Sequence, residues 1–353
     1  MGSIEPPSCH NAAPLRRSIF PFRPTCPFHL APLPGVERDK MAPFAATHAA
    51  SGRLPATSVN SLIRALRGAL PYALHKYLYT TLPERQRLAR EQAATRARIA
   101  VAASNARFKD VHKGRRCFIL CNGPSVKKQD LAPLESELVI SVSSGYQHPL
   151  YKQIAPRYHV VPQLTYGRVT REDAIKWFRE MHAALGDAVL FLSSSERELV
   201  ESEGLFRGRE VHYVVLWDRF ADHPAGAIPD VARDLPAVQS VPVLCLMIAL
   251  YMGCAPIYLL GTDHDHFRTG EYKYFFEPTV LRDKDITADA QGKLRGGWAN
   301  ELAGLAALWQ QYLDLDVIAR ANGVQIFNAT AGGELDVFPR AELDSLFPAP
   351  STC

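Results

Sequence analysis

The sequence predicts an α/β protein with a doubly wound, mostly parallel, Rossmann-like sheet, preceded by a disordered tail and a helical segment. From about residue 111 onward, short apolar runs of strand length alternate with helical patterns. Two of these runs end in glycine-containing turns, at residues 122–125 and 261–263. Because strands spaced by helices form parallel sheets covered on both faces, we expect a ligand beyond the carboxyl ends of the strands.

Composition narrows the class of protein. The chain has 353 residues, is 47% hydrophobic and carries a formal charge of +4, which does not suggest a nucleic-acid partner. Its seven scattered cysteines form neither a disulfide framework nor a CxxC metal pattern, so we expect reduced thiols in a cytoplasmic protein. No apolar run has the length of a membrane span, and no secretory signal is evident.

Three segments are expected along the chain. Residues 1–57 form a proline-rich tail that we expect to be disordered, and Met41 is an alternative start to Met1. Residues 58–110 form a basic helical segment, and residues 111–347 form the Rossmann-like domain. The helical segment either packs on the main domain or a partner subunit, or rests peripherally on the inner membrane or other enzymes through its basic surface.

The elements of the main domain follow from apolar periodicity. Helical patterns occupy residues 171–185, 194–203, 241–253 and 298–322. Strands are expected at residues 117–121, 138–142, 158–162, 188–192, 210–216, 256–260 and 324–328.

The first glycine-containing turn follows the apolar run at residues 117–121. Asn122, Gly123, Pro124 and Ser125 break this run, and proline suits the first turn of a helix. A strand that turns tightly into a helix presents unpaired N–H groups beyond the sheet, and the helix dipole favours an anion there. The turn predicts a phosphate or carboxylate site, although an ordinary strand-to-helix turn fits the same residues.

The second turn follows a helix that is apolar on all sides. Ser240 suits the N-cap of this helix and Gly253 the position just past its end. The next strand then brings Gly261, Thr262 and Asp263 to the same edge of the sheet as Asn122. Two such turns at one edge of the sheet indicate a ligand site there more strongly than either turn alone.

These segments resemble the superfamily of the 6-hydroxymethylpterin diphosphokinase MptE-like proteins and the bacterial CMP-sialic acid-dependent sialyltransferases. The shared features are the Asn-Gly-Pro-Ser turn, the Ser-led apolar helix and the Ile-Tyr-Leu-x-Gly-x-Asp strand end, within residues 113–328. The resemblance implies that Asn122 and Ser125 contact the phosphate and ribose of a nucleotide and that Ser240 lines the same site. It also implies that Gly261 lets the backbone approach the ligand and that Asp263 holds the strand end or hydrogen-bonds the ligand.

The chain departs from the sialyltransferases in three places. It has no histidine in residues 295–300, before the last long helix, and Asp265 replaces their tyrosine. Ser143 and Ser144 stand where relatives offer an asparagine, so we expect them to affect which base or sugar binds. Sialyl transfer is therefore doubtful, and the chain is most similar to the MptE-like proteins that accompany surface-polysaccharide genes.

The densest group of ionisable side chains is Asp263, His264, Asp265 and His266. Asp263 and Asp265 suit a Mg²⁺ or Mn²⁺ ion carrying a phosphate, and His264 suits a proton-transfer role. In an extended segment the two aspartates would share one side and the two histidines the other. The alternative to a catalytic or metal-binding role is a polar loop over the sheet, in which Asp263 caps backbone N–H groups.

Two further regions are candidates by position. Gln163 follows the third strand and would reach a ligand at the same edge. Residues 267–289 mix aromatic and basic side chains without periodicity, which is typical of a functional loop or lid, or of an ordered surface loop.

The sequence thus predicts a nucleotide-dependent transferase, with glycosyl transfer in bacterial cell-surface polysaccharide assembly as the first hypothesis. Its partner would be a nucleotide or nucleotide sugar. One alternative is an MptE-like diphosphokinase that transfers pyrophosphate from ATP with Mg²⁺. The other is a non-catalytic scaffold that kept the nucleotide-binding fold.

Overall fold

A parallel sheet organises the chain. The computed structural model describes residues 81–164, 169–269, 273–277 and 297–347, together with Leu74, Lys76 and Tyr77. Its strands are β1 (Cys117–Leu120), β2 (Leu138–Val142), β3 (Tyr158–Val161), β4 (Val189–Ser193), β5 (Val211–Asp218), β6 (Asp234–Pro236), β7 (Ile257–Leu260) and β8 (Ile326–Asn328). The strand order is β6-β5-β4-β3-β2-β1-β7-β8, and every pairing between them is parallel. The predicted α/β, doubly wound class is confirmed.

Helices of very different lengths connect the strands. They are α1 (Leu82–Ala102), α2 (Tyr151–Ile154), α3 (Arg171–Ala184), α4 (Arg197–Ser202), α5 (Val241–Tyr251), α6 (His266–Thr269) and α7 (Gly297–Ala321). Short 3₁₀ helices occupy Ala103–Phe108, Pro124–Lys128, Ala132–Ser136, Ser143–Gln147, Ser194–Glu196, Phe220–Asp222 and Leu343–Leu346.

Alternation along the strands divides the core between the two faces of the sheet. Cys117 and Ile119 of β1 face the layer that contains α5 and α7, whereas Phe118 and Leu120 face the opposite layer. On that second face, α3 covers β3 and β4 through a separate cluster that includes Phe178. A sheet covered on both faces explains why most residues of its strands are apolar.

Helix α5 is the central element of the first layer. Its residues from Pro242 to Tyr251 are all buried, as the apolar sequence predicts. Ser240 occupies the N-cap position, although its side chain makes no capping hydrogen bond. Gly253 follows the helix with a φ of 78°, which agrees with its predicted place just past the end.

The end of the basic helical segment packs on the sheet. Arg98 of α1 pairs with Asp234 on β6 at 2.6 Å. Asn105 is fully buried and donates to the backbone carbonyls of Tyr213 and Val231 at 2.8 and 3.1 Å. The predicted tail at residues 1–57 and most of residues 58–80 lie outside the described part of the chain.

The strand order reverses at β1, which lies between β2 and β7. In open parallel sheets this switch point is where the loops diverge and leave a crevice beyond the carboxyl ends. Both glycine-containing turns follow strands at this point, so the fold places them together.

None of the helices in the described part of the chain has the length and apolar character needed to span a bilayer.

Candidate functional site

Backbone hydrogen bonds join the turns after β1 and β7. The N–H of Cys121 donates to the carbonyl of Leu260 at 2.8 Å, and the N–H of Gly123 donates to that of Gly261 at 2.9 Å. This pairing extends the ladder between the strands past their ends. The two glycine-containing turns identified in the sequence are therefore hydrogen-bonded to each other; we call this contact the junction.

Glycine is required on both sides of this junction. A Cβ on Gly123 would lie 2.6 Å from the carbonyl oxygen of Gly261 and would overlap the carboxylate of Asp263. A Cβ on Gly261 would lie 2.6 Å from Val126 and 2.7 Å from the carbonyl oxygen of Cys121. The missing side chains let the two turns pack against each other, so Gly261 lies close to the turn after β1. Its approach to a ligand stays a prediction.

The carboxylate of Asp263 accepts the donors of the first turn. The Ser125 hydroxyl donates to Oδ2 at 2.7 Å, and the Ser125 N–H donates to Oδ1 at 3.2 Å. Burial raises the pKa of Asp263 and the nearby charge of Asp265 adds to this, whereas the two hydrogen bonds from Ser125 oppose it. An external phosphate at Ser125 would have to displace this internal carboxylate.

The helix expected behind the first turn is absent, which corrects the sequence interpretation. Residues Pro124–Lys128 form a 3₁₀ helix of 5 residues, and Gln129 is already extended. So short an element has no substantial macrodipole, because the dipole sums over aligned peptide units. The dipole argument for a phosphate at this turn therefore fails, while the proposed phosphate contact of Ser125 stays a prediction.

Asn122 has the most informative side chain at the junction. It is 9% exposed, and its amide nitrogen donates to the carbonyl of Val142 at 3.3 Å. Its Oδ1 has no hydrogen-bond partner among the described residues. A Cβ on Gly145 would lie 3.3 Å from this oxygen, so glycine leaves room beside it. A buried acceptor without a partner costs free energy, and a donor group from a ligand would satisfy it.

The loop after β8 adds a third wall to the junction. Gln129 donates to the carbonyl of Ala329 at 2.8 Å and accepts from the N–H of Ala331 at 3.3 Å. The Thr330 hydroxyl accepts from the N–H of Thr262 at 3.1 Å. Arg340 holds the same loop through the carbonyls of Thr330, Gly332 and Gly333. The junction is therefore braced by a neighbouring strand end.

The turn after β2 is held by buried partners. His159 lies within hydrogen-bonding distance of the Ser143 carbonyl through Nε2, at 2.9 Å, and of the Ser141 hydroxyl through Nδ1, at 2.7 Å. Because a carbonyl only accepts, Nε2 carries the proton. Burial lowers the pKa of His159 to about 3, so this histidine is neutral. Ser144 accepts from the Trp177 ring nitrogen at 3.0 Å. The ligand roles of Ser143 and Ser144 stay predictions.

The remaining residues predicted for the site lie around the same edge of the sheet. Gln163 is exposed just after β3, and Ser240 is half-buried at the start of α5. Thr262 is buried between the β1 and β8 turns. Pro124 is the first residue of the 3₁₀ helix. No ligand contact of these four residues is tested by the structure.

The loop after β7 is not extended, so the predicted alternation of Asp263 and Asp265 against the histidines is wrong. His264 has a φ of 46°, and its Nε2 lies 2.7 Å from the Tyr312 hydroxyl of α7. His266 begins α6, and its Nε2 lies 3.2 Å from Glu301. Burial lowers the pKa of His264 to about 4, which makes it a weak proton acceptor at neutral pH.

A metal-ion role was expected for Asp263 and Asp265. Among the described residues, no group of three or more His, Cys, Asp or Glu side chains could hold an ion. Mg²⁺ bound with a nucleotide needs only one or two protein carboxylates, because phosphate oxygens and water complete its shell. Asp265 is half-buried and close enough to raise the pKa of Asp263. The pair fits that limited role, which stays a prediction.

Part of the predicted lid lies on the first turn. The Phe275 N–H donates to the Asn122 carbonyl at 3.0 Å, and the Phe275 side chain is buried in the core cluster that contains Leu120. The rings of Tyr274 and Phe276 stack at 5.2 Å with an interplanar angle of 6°. Most of residues 270–296 lie outside the described chain.

Known proteins give little further information. No protein-family model matches the chain, and no curated protein matches it significantly. It is similar to the solved structure of the MAf glycosyltransferase from Magnetospirillum magneticum AMB-1, with 16% identity and a TM-score of 0.40. The similarity covers 71% of this chain and 39% of that chain, so this chain spans well under half of it. A similarity of this strength establishes neither a family nor an activity.

Proposed function

We propose that this protein is a nucleotide-dependent transferase whose donor nucleotide binds where the turns after β1 and β7 meet. The observation that carries the proposal is the buried Oδ1 of Asn122, which has no partner among the described residues. It lies at the switch point of a parallel sheet, the usual location of ligands in this architecture. A ribose hydroxyl or a base amine is the kind of donor that this oxygen requires.

The charge of the junction determines which part of the nucleotide lies there. Asp263 supplies a carboxylate and already accepts from Ser125. A phosphate placed directly beside it would be repelled, and each such like-charge contact is unfavourable in a buried site. The neutral ribose or base therefore contacts Asn122. Mg²⁺ held by Asp265, with the free lone pairs of Asp263, would neutralise the phosphates farther out.

Glycosyl transfer from a nucleotide sugar, in cell-surface polysaccharide assembly, is the reaction we propose. The protein would act in the cytoplasm, where nucleotide sugars are made. Pyrophosphate transfer from ATP uses the same pocket, and Mg²⁺ bound by Asp265 would favour it. A scaffold without catalysis would carry out neither glycosyl transfer nor pyrophosphate transfer.

Ligand-induced thermal shift tests the binding step. CMP, UDP, GDP and ATP are each added with and without Mg²⁺ to wild-type protein, Asn122→Ala and Asn322→Ala. Asn322 is an exposed residue at the end of α7 that donates to the carbonyls of Gly226 and Ile318, so it controls for loss of an asparagine. A ligand at one hundred times its Kd adds about 2.7 kcal/mol of stability.

We expect at least one nucleotide to stabilise the wild type and Asn322→Ala, and to stabilise Asn122→Ala much less. Release of AMP from ATP would identify the diphosphokinase, and release of CMP or a nucleoside diphosphate from a nucleotide sugar would identify the glycosyltransferase. If no nucleotide shifts the wild type, the proposal is wrong and the scaffold alternative stands.

A further inference from the structure

Residues 273–277 lie over the first turn, with exposed residues at both ends and a single buried residue, Phe275, in the middle. Phe275 points into the core, where its ring meets His148 edge-on at 5.2 Å. Tyr274 and Phe276 flank it and are half-buried. The chain bends at residues 275 and 276, so the two flanking rings lie beside the Phe275 anchor and each keeps part of its surface exposed.

The Tyr274 and Phe276 rings form a nearly parallel stack. Their centroids lie 5.2 Å apart at 6°. Phe276 is supported from behind, because it packs against the core cluster and meets the Phe275 ring edge-on at 4.9 Å. Within the described residues, no ring other than Phe276 stacks on Tyr274. One face of Tyr274 is thus backed by a fixed ring, and the opposite face is directed away from it.

The position of this stack is fixed relative to the crevice. The Phe275 N–H donates to the carbonyl of Asn122, whose side-chain oxygen lacks a partner among the described residues. The segment that carries the stacked rings is therefore hydrogen-bonded to the backbone of the residue that carries the acceptor. A nucleotide whose ribose or base donates to Asn122 carries a flat ring of the kind that this stack could hold.

We propose that Tyr274, backed by Phe276, is the stacking platform for the base of the bound nucleotide, an inference that rests on the proposed function above. Every nucleobase has a π face, so stacking holds the base without selecting it strongly. The anchor residue Phe275 and its hydrogen bond keep the platform in place before the ligand arrives. Specificity for one base would come from donors and acceptors elsewhere in the site.

Equilibrium binding of CMP, UMP, GMP and AMP tests this platform, with ribose 5-phosphate as the probe that lacks a base. The variants are Tyr274→Leu and Tyr274→Phe, and the control is Trp217→Leu, which removes an aromatic ring that is 63% exposed on β5. Stacking on an aromatic side chain contributes about 1–3 kcal/mol per base, so Tyr274→Leu should bind the preferred nucleotide about tenfold or more weakly.

Tyr274→Phe and Trp217→Leu should bind that nucleotide as the wild type does, and Tyr274→Leu should leave the affinity for ribose 5-phosphate unchanged. Equal nucleotide affinity of Tyr274→Leu and the wild type would overturn the platform alone. An equal loss in Tyr274→Phe would also overturn it, because the hydroxyl would then be the binding group. Failure of all four nucleotides to bind the wild type would instead overturn the proposed function.

Discussion

The Ser125 hydroxyl donates a 2.7 Å hydrogen bond to the carboxylate of Asp263, which lies 138 positions later in the chain. This contact closes the junction between the turns after β1 and β7. It also means that the donors expected to bind an external anion already bind an internal one. The junction therefore leaves an acceptor without a partner, the Oδ1 of Asn122, and offers no open cradle of N–H groups at Ser125.

Gly123→Ala should disrupt this junction. The new methyl group would lie 2.6 Å from the Gly261 carbonyl oxygen, and backbone at that distance has to move. Overpacking in a well-packed site costs about 1–3 kcal/mol, and we expect the loss to reach the upper end of this range. Chemical denaturation of the purified variant measures it.

Gly304→Ala is the matched control for that substitution. Gly304 lies in α7, and a Cβ there meets no atom within 4 Å. Alanine is a better helix former than glycine by about 0.5–1 kcal/mol, so this variant should be as stable as the wild type or more stable. Equal stability of the two variants would show that the turns do not pack as described.

His159 should make stability depend on pH. Its pKa falls from 6.5 to about 3 on folding because the ring is buried. A depressed pKa contributes stability that is fully present above pH 6.5 and is lost as the pH falls toward 3, because the unfolded state then binds the extra proton.

His159→Gln removes this titration, and it should lower stability at pH 7 because the bonds to Ser141 and Ser143 are weakened. The difference in free energy of unfolding between wild type and variant should then shrink as the pH is lowered from 7 to 4. Urea denaturation at several pH values provides the measurement. A difference that is constant across this range would contradict a neutral, buried His159.

Asn105→Ala should detach the end of the helical segment from the sheet. The substitution leaves the buried carbonyls of Tyr213 and Val231 without their donor. Each unsatisfied buried group costs about 1–3 kcal/mol, so we expect a loss of at least about 2 kcal/mol in thermal or urea unfolding. Asn322→Ala also removes two hydrogen bonds to carbonyls, but at an exposed position, and should cost less than about 1 kcal/mol. Similar losses in both variants would argue against the packing of Asn105.

The fold was predictable because it depends on local patterns. The seven predicted strands and helices α3, α5 and α7 agree with the sequence predictions to within about two residues. Strand β6 was missed because it has only 3 residues, ends in a proline and lies at the sheet edge, so it leaves no alternating pattern. The order of the motifs also indicated correctly that the two turns would meet.

The details of the site were harder to predict from the sequence than the fold was. Nothing near Asp263 in the sequence indicates that Ser125 would bind its carboxylate, or that Tyr312 would contact His264 from α7. These contacts depend on how loops pack, which has no sequence period. The positive φ of His264 likewise results from the path that the chain takes between β7 and α6. The room that Gly145 leaves beside Asn122 is likewise visible only in the folded structure.

Hydrogen–deuterium exchange with and without the nucleotide that gives the largest thermal shift tests the central claim most directly. If the turns after β1 and β7 form one nucleotide pocket, amides in residues 121–126 and 261–266 should become protected together on binding. Protection confined to one of these segments, or found only elsewhere, such as around α4, would contradict a shared pocket.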